Sequence, residues 1–286
     1  KKFDLMKKLK ILYFSKNMQE YKMASYQYEV MKELSRQAQV YFYGPGFEGY
    51  DLNDSINEVQ VKTPFKIDCI ILGHSWLNDK DGGEVDPHPM LKLSKTNILK
   101  IVILNKEYTN LDAKLRFIRD NHFNLGFTHH HDIKRYIEST NIEFNFWPFA
   151  FSSEKFNSIT KEKNFDIGFS GVLQNLNKNA DQSDIRVEIM NFFFHTLFDV
   201  PLRKKKSYNN IKIFWNSIPR NNLGKLLSKI LGKHQFLDSK AYVETLSMTN
   251  IYINTLSPMG LISPRFFESM ASRALVLCEE SSLYSN

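Results

Sequence analysis

Residues 251–277 read IYINTLSPMGLISPRFFESMASRALVL, and this stretch predicts one strand–helix–strand unit. The short apolar runs at 251–254 and 274–277 predict strands, and residues 264–272 have the spacing of a helix. Strands joined by a helix are typical of a parallel sheet, because a parallel connection needs a crossover of about a dozen residues or more. The stretch therefore predicts an α/β fold.

The same alternation runs through the rest of the chain. In the first half, strands are predicted at residues 10–14, 40–43, 67–72, 101–104 and 125–128, and helices at 19–37, 89–95, 110–121 and 132–139. In the second half, strands are predicted at 165–170 and 211–215, and helices at 183–198 and 239–247. We therefore expect two Rossmann-like, doubly wound domains, in residues 1–150 and 151–286. Because a parallel sheet is normally covered on both faces, and the chain ends just after its last predicted strand, we expect the second domain to be incomplete.

Composition and charge limit the classes of function that the protein can have. The chain has 286 residues, 42% of them hydrophobic and 24% charged, which is typical of a packed globular protein. Its net charge is +7, from 38 Lys and Arg against 31 Asp and Glu, which suits an anionic partner such as a nucleotide or a membrane surface. The densest basic run, Arg203-Lys204-Lys205-Lys206, is interpreted as a solvated loop, with an anionic contact left open. No nucleic-acid-binding module is recognisable, so we expect no nucleic-acid partner.

The cysteines and the apolar segments indicate the compartment. Cys69 and Cys278 each lie in an apolar run, which argues against a disulfide framework. No segment approaches the roughly 18 to 20 apolar residues that span a bilayer, and the apolar stretch at 9–14 is too short for a signal peptide. We expect a cytoplasmic protein, with peripheral membrane contact left open.

Two residues directly follow predicted strands, where open α/β sheets bind their ligands. His74 follows the strand at 67–72, beside Gly73, and Gly171 follows the first strand of the second half. A histidine can take a proton from a hydroxyl near neutral pH, so His74 is the candidate catalytic residue. A structural histidine at the strand end is the alternative.

The loop and helix inside the quoted stretch predict an anion site. Pro264 suits the first turn of a helix, and Gly260 lets the preceding loop approach a ligand closely. The helix start would present backbone N–H groups to a diphosphate, and Arg265 would add a bidentate donor. Glu268, one turn later, could accept hydrogen bonds from ribose hydroxyls. The alternative is that Arg265 and Glu268 pair on an exposed helix surface.

Two further motifs resemble metal ligands, but neither predicts a metal site. Asp79-Lys80-Asp81 precedes Gly82-Gly83, which is typical of a plain turn. His129-His130-His131 are consecutive, so their imidazoles point in different directions. Contact of one of these histidines with an acceptor or a phosphate is left open.

The block from Tyr252 to Ala271 resembles the C-terminal nucleotide-sugar motif of GT-B glycosyltransferases, particularly the CgeB-like group named after a spore-maturation protein. Four other pieces are similar to that group in the same order: Tyr43-Gly44-Pro45-Gly46, Leu104-Asn105-Lys106-Glu107-Tyr108, Trp147-Pro148-Phe149-Ala150 and Asp166-Ile167-Gly168-Phe169-Ser170-Gly171. Together these pieces span most of the chain. The sequence departs from the broader family at Ser272-Arg273, where a glycine commonly follows the motif helix.

The resemblance implies two Rossmann-like domains facing a cleft, with the acceptor on the first and the donor nucleotide on the second. Arg265, with the Gly260 loop and Gly171, would hold the diphosphate, and Glu268 the ribose. The implied activity is metal-independent glycosyl transfer from a UDP- or GDP-sugar, with no tightly bound cofactor, to a glycan, lipid or protein acceptor. Retention or inversion, the donor sugar and the oligomeric state are left open.

Two other functions are weighed against glycosyl transfer. A non-catalytic nucleotide- or sugar-phosphate-binding protein of the same fold would have the same motifs. A dehydrogenase is disfavoured, because Gly44-Pro45-Gly46 lacks the Gly-x-Gly-x-x-Gly pattern of dinucleotide sites.

Overall fold

The structure, a computed structural model, describes residues 8–19, 25–80, 82–156, 162–172, 185–194, 202–208, 210–218, 237–256 and 261–280. The chain divides into two compact units, Lys1–Pro148 (unit 1) and Phe149–Asn286 (unit 2). None of the described helices is long and apolar enough to cross a membrane.

Unit 1 is built on a six-stranded parallel sheet. Its strands are β1 (Lys10–Phe14), β2 (Gln39–Tyr43), β3 (Cys69–Leu72), β4 (Leu99–Ile103), β5 (Leu125–Thr128) and β6 (Glu143–Phe146). Its helices are α1 (Ser25–Gln37), α2 (Ile56–Lys62), α3 (Leu111–Asp120) and α4 (Ile133–Thr140). The strand order is β2-β1-β3-β4-β5-β6. Every residue of β3 is buried, as expected for a central strand covered on both faces.

In unit 1 one predicted helix was wrong and one helix was missed, both for local reasons. The helix predicted at 89–95 is two 3-10 turns, because Lys92 between them adopts a left-handed conformation (φ 49°) that a helix cannot continue through. Helix α2 was not predicted, since only Ile56 and Val59 are buried on its seven residues. Its sequence signal was the capping box of Ser55 and Glu58, in which each side chain bonds the backbone of the other.

Unit 2 is built on a five-stranded sheet. Its strands are β7 (Phe165–Val172), β8 (Leu202–Tyr208), β9 (Ile211–Ile218), β10 (Thr249–Asn254) and β11 (Leu275–Cys278). Its described helices are α5 (Ser153–Phe156), α6 (Ile185–Phe194), α7 (Ser239–Ser247) and α8 (Pro264–Ala271). The strand order is β11-β10-β7-β9-β8, in which only the β8–β9 pair is antiparallel. The core contains the stacked rings of Phe169 and Trp215, with centroids 4.3 Å apart.

The interpretation of Arg203-Lys204-Lys205-Lys206 as a loop was wrong, because these residues lie on β8 and pair with β9. Tyr208 of β8 pairs with Ile211 of β9, and Asn210, between these residues, has a φ of 68°. Two-residue hairpin turns need left-handed residues, and Asn adopts that conformation readily. A run of basic residues on a strand at the edge of the described sheet discourages pairing with another chain.

The prediction of an α/β fold is confirmed, with six parallel strands in unit 1 and four parallel strands, joined by the antiparallel β8, in unit 2.

Candidate functional site

The strand order of unit 2 reverses between β7 and β10, and open α/β sheets bind their ligands at the carboxyl ends of strands at such a point. Strand β7 comes first in the chain and has β9 on one side and β10 on the other. Where the strand order reverses in this way, the connections leave the sheet in opposite directions and open a crevice. Gly171 lies near the end of β7, and Arg265 lies in the first turn of α8, after β10. Gly260 lies outside the described residues.

The guanidinium of Arg265 packs against Gly171. A Cβ atom at position 171 would be 2.7 Å from Arg265 Nη1, so the absence of a side chain makes room for the arginine. Arg265 Nη1 is buried and has no hydrogen-bond partner within the described part of the chain. A guanidinium is always charged, and a buried donor without a partner costs about 1 to 3 kcal/mol or more. The position therefore favours an anionic ligand.

A second buried donor lies at the end of β10. Asn254 is fully buried; its Oδ1 accepts a hydrogen bond from the Ser263 hydroxyl at 3.0 Å. Its Nδ2 has no partner among the residues that the structure describes. Ser263 is the N-cap residue of α8, yet its side chain makes no cap hydrogen bond and bonds Asn254 instead. Pro264 has no N–H, and the N–H of Phe266 donates to the Ser263 carbonyl at 3.0 Å, so in this first turn the N–H of Arg265 is left to other acceptors.

Arg186, from α6, braces the chain just after β10. It is buried, and its Nε donates to the hydroxyl of Thr255 and its Nη2 to the carbonyl of Leu256 at 3.3 Å. It brings a second positive charge to the same end of the sheet as Arg265. Sequence reasoning missed Arg186, because no local pattern joins it to a strand end 69 residues further on.

Glu268 is buried, with 8% of its surface exposed. Its Oε2 accepts a hydrogen bond from the Tyr242 hydroxyl at 2.7 Å, and burial raises the pKa of its carboxyl group. No ion pair joins it to Arg265 in the described residues, although the arginine's charge opposes the rise in pKa. The two side chains are therefore not an exposed pair on the helix surface.

In unit 1 the corresponding reversal of strand order lies at β1, which is flanked by β2 and β3. The loops after β1 and β3 are joined, since the hydroxyl oxygens of Ser15 and Ser75 are 2.7 Å apart and the backbone N–H of Lys16 donates to Ser75 Oγ. His74, in the loop after β3, is 4% exposed. His74 is the neighbour of Ser75 in the chain, but its side chain is packed inside unit 1.

His74 lies in an aromatic environment. Its ring stacks on His129 with centroids 5.2 Å apart and meets the edge of Tyr26 at 5.6 Å. Its Nε2 is 3.1 Å from His129 Nε2, and its Nδ1 is buried with no hydrogen-bond partner among the described residues. Burial, with a smaller contribution from His129, lowers the pKa of His74 well below its usual value.

Glu107 anchors the turn that carries His129. Its carboxylate accepts hydrogen bonds from the hydroxyls of Thr128 and Tyr136 and, at 3.0 Å, from the backbone N–H of His129. Glu107 is 1% exposed, so this buried charge is held by donors from β5, the following turn and α4. Glu107 belongs to the motif Leu104-Asn105-Lys106-Glu107-Tyr108, but the sequence did not predict this role.

The other metal-like motifs have internal partners. Asp79 forms ion pairs with Lys114 at 2.7 Å and with Lys106 at 3.1 Å, and Asp81 lies outside the described residues. The ring of His130 stacks on that of His131 with centroids 4.5 Å apart. No group of three or more His, Cys, Asp or Glu side chains in the described ranges is arranged to hold a metal ion.

No protein-family model matches the chain, and no curated protein matches its sequence.

Proposed function

We propose that the chain is a GT-B glycosyltransferase, similar to the CgeB-like group, which transfers a sugar from a UDP- or GDP-sugar to a glycan, lipid or protein. One observation carries the proposal. In the part of the chain that the structure describes, two buried donors have no hydrogen-bond partner: Asn254 Nδ2, at the end of β10, and Arg265 Nη1, which packs against Gly171 near the end of the adjacent parallel strand β7.

A diphosphate suits these donors. Its oxygens are strong acceptors, and a guanidinium binds them with charge-assisted hydrogen bonds that are about twice as strong as neutral ones. The N-terminus of α8 adds backbone N–H groups and the positive end of a helix dipole. The buried Nη1 of Arg265, which has no hydrogen-bond partner in the described residues, would donate to the diphosphate.

Glu268 is the proposed partner of the ribose. It lies one turn beyond Arg265 on α8, and the hydrogen bond from Tyr242 occupies only one of its oxygens. Ribose hydroxyls can donate to the other oxygen. Tyr242 fixes the orientation of the carboxylate.

The transfer step needs a stabilised leaving group and a base. As the bond from the anomeric carbon to the phosphate oxygen breaks, Arg265 and the N–H groups of α8 would stabilise the negative charge on the nucleoside diphosphate. His74 would take the proton of the acceptor hydroxyl as that oxygen bonds to the anomeric carbon. Because groups of the chain itself neutralise the leaving group, the proposal needs no metal ion.

The test is a screen of the purified chain against UDP, GDP and their sugar conjugates. A ligand at 100 times its dissociation constant adds about 2.7 kcal/mol of stability, which a thermal shift detects. Donors that bind are then incubated with and without candidate acceptors, and release of the nucleoside diphosphate is measured. The proposal expects binding and release. Binding without release would favour the non-catalytic binding protein, and failure of all these nucleotides to bind would contradict both.

A further inference from the structure

The proton positions of the His74–His129 pair follow from one carbonyl group. His129 Nδ1 is 2.6 Å from the backbone carbonyl oxygen of Trp147. A carbonyl oxygen can only accept a hydrogen bond, so His129 Nδ1 is the donor and carries a proton.

The remaining protons are then determined. Burial lowers the pKa of both imidazoles, which favours the neutral form of each ring, with one proton. Because the proton of His129 is on Nδ1, its Nε2 is an acceptor. The contact of 3.1 Å between the two Nε2 atoms is a hydrogen bond only if His74 Nε2 donates. His74 Nδ1 therefore has a free lone pair.

We propose that His129 holds His74 in the Nε2-protonated tautomer, so that His74 Nδ1 is the atom that takes the proton of the acceptor hydroxyl. This inference rests on the proposed glycosyl transfer. His74 Nδ1 is buried and unpartnered in the described residues, and His74 follows β3 at the ligand-binding edge of the sheet. A hydroxyl of the acceptor supplies the donor that this lone pair lacks. His74 is the catalytic residue, and His129 is a positioning residue.

The hydrogen bonds of the pair persist through proton transfer, although burial disfavours the charged form of His74. When the acceptor oxygen bonds to the anomeric carbon and the nucleoside diphosphate departs, the hydroxyl proton moves to His74 Nδ1. The resulting imidazolium keeps its Nε2–H bond to His129, which keeps its own bond to Trp147. The carboxylate of Glu107, bonded to the backbone N–H of His129 at 3.0 Å, provides a nearby negative charge. A base oriented by a second group is the general logic of catalytic triads.

The tautomer is measured directly by long-range ¹H–¹⁵N correlation spectra of the full chain labelled with ¹⁵N-histidine. The wild-type protein is expected to show His74 protonated at Nε2 and unprotonated at Nδ1. His129→Phe removes the acceptor, so His74 is expected to populate both tautomers. The expected kinetic effect is a fall in kcat of about 2-fold, in proportion to the loss of the Nε2-protonated tautomer, with KM for the donor unchanged.

Two variants make the test specific. His129→Gln keeps a carbonyl oxygen that can accept from His74 Nε2, so it is expected to restore most of the kcat lost in His129→Phe. His122→Asn is the matched control, because His122 is exposed and its φ of 54° suits asparagine. It is expected to leave the His74 spectrum and kcat unchanged. If His129→Phe does not fold, the inference is tested by the tautomer of His74 in the wild-type spectrum and by the kcat of His129→Gln.

A wild-type spectrum with His74 protonated at Nδ1 would overturn the inference, as would a His129→Phe variant with wild-type kcat. These failures are distinct from failure of the proposed function. A chain that binds no nucleoside diphosphate would contradict the glycosyltransferase assignment whatever the tautomer. A chain that binds and transfers, but with the other His74 tautomer, would overturn this inference alone.

Discussion

The guanidinium of Arg265 occupies the space in which a side chain at position 171 would lie, since a Cβ atom on Gly171 would be 2.7 Å from Arg265 Nη1. Gly171→Ala is therefore expected to displace the arginine and weaken binding of UDP or GDP about 10-fold, which corresponds to roughly 1.4 kcal/mol. Calorimetric titration of the variant measures this loss.

The control for Gly171→Ala is the same substitution in an Arg265→Ala background. With the guanidinium removed, the added methyl group has less to displace, so the two changes are expected to be non-additive. Additive losses of affinity would show that Gly171 does not act through Arg265.

Asn254→Asp tests the second buried donor. The substitution keeps an acceptor for the Ser263 hydroxyl but replaces the free Nδ2 donor with a carboxylate oxygen, which repels phosphate. We expect the affinity for nucleoside diphosphate to fall about 100-fold or more, since each buried charge-assisted contact contributes roughly 1.5 to 3 kcal/mol. Asn164→Asp, which makes the same change at an exposed position of unit 2, is expected to have little effect. Equal affinities of the two variants would argue against a phosphate near Asn254.

Glu268→Gln is expected to stabilise the free protein in a pH-dependent way. Burial raises the pKa of Glu268 in the folded state, so its ionised form costs stability. This cost is absent below the unfolded pKa of glutamate, about 4.3, and grows as the pH rises through the raised folded pKa. The midpoint of thermal unfolding of the variant should therefore exceed that of the wild type at about pH 8 and match it near pH 4. A difference that does not change between these pH values would contradict the assignment.

The same substitution is expected to weaken nucleotide binding. Glutamine can still accept from Tyr242, but it replaces a charged acceptor of the ribose hydroxyls with a neutral one, a loss of about 10-fold in affinity. Titration with UDP and with its sugar conjugate measures the loss. Unchanged affinity would remove Glu268 from the site.

Gly44→Ala is expected to destabilise unit 1. A Cβ atom at this position, where φ is 148°, would overlap the carbonyl oxygen of Ser15, and backbone atoms have little freedom to move away. Overpacking of this kind costs about 3 kcal/mol or more. Gly82→Ala is the matched control, because Gly82 also has a positive φ, 70°, but a Cβ there would meet nothing within 4 Å. Gly82→Ala should lower the free energy of unfolding by only about 1 to 2 kcal/mol, through backbone strain. Equal unfolding free energies of the two variants in urea would contradict this account.

Local patterns were sufficient for most of the sheet strands and for the position of helix α8. Buried parallel strands are nearly continuous apolar runs, so β1 and β5 were predicted with the bounds that the structure has. Strand β8 was not predicted, because its sequence LRKKKSY has neither apolar alternation nor an apolar run. Pro264, Arg265 and Glu268 are close in sequence, so their shared helix could be predicted.

The contacts that complete both candidate sites join distant parts of the chain. Arg186 contacts Thr255 across 69 residues, and His74 contacts His129 across 55. Such pairs depend on strand order, which hydrophobic periodicity alone does not define. The sequence shows the run His129-His130-His131, but it does not show the contact with His74 on which the function proposed for His129 depends.

Calorimetric titration of the wild-type chain and of Arg265→Ala with UDP, GDP and the corresponding nucleosides tests the central claim most directly. Lys240→Ala, at an exposed position of unit 2, provides the same change in charge as a control. We expect at least one diphosphate to bind the wild type and Lys240→Ala equally, and to bind Arg265→Ala at least about 100-fold more weakly, with nucleoside binding weak in all three. A diphosphate that binds Arg265→Ala as tightly as the wild type would contradict the assignment of this crevice.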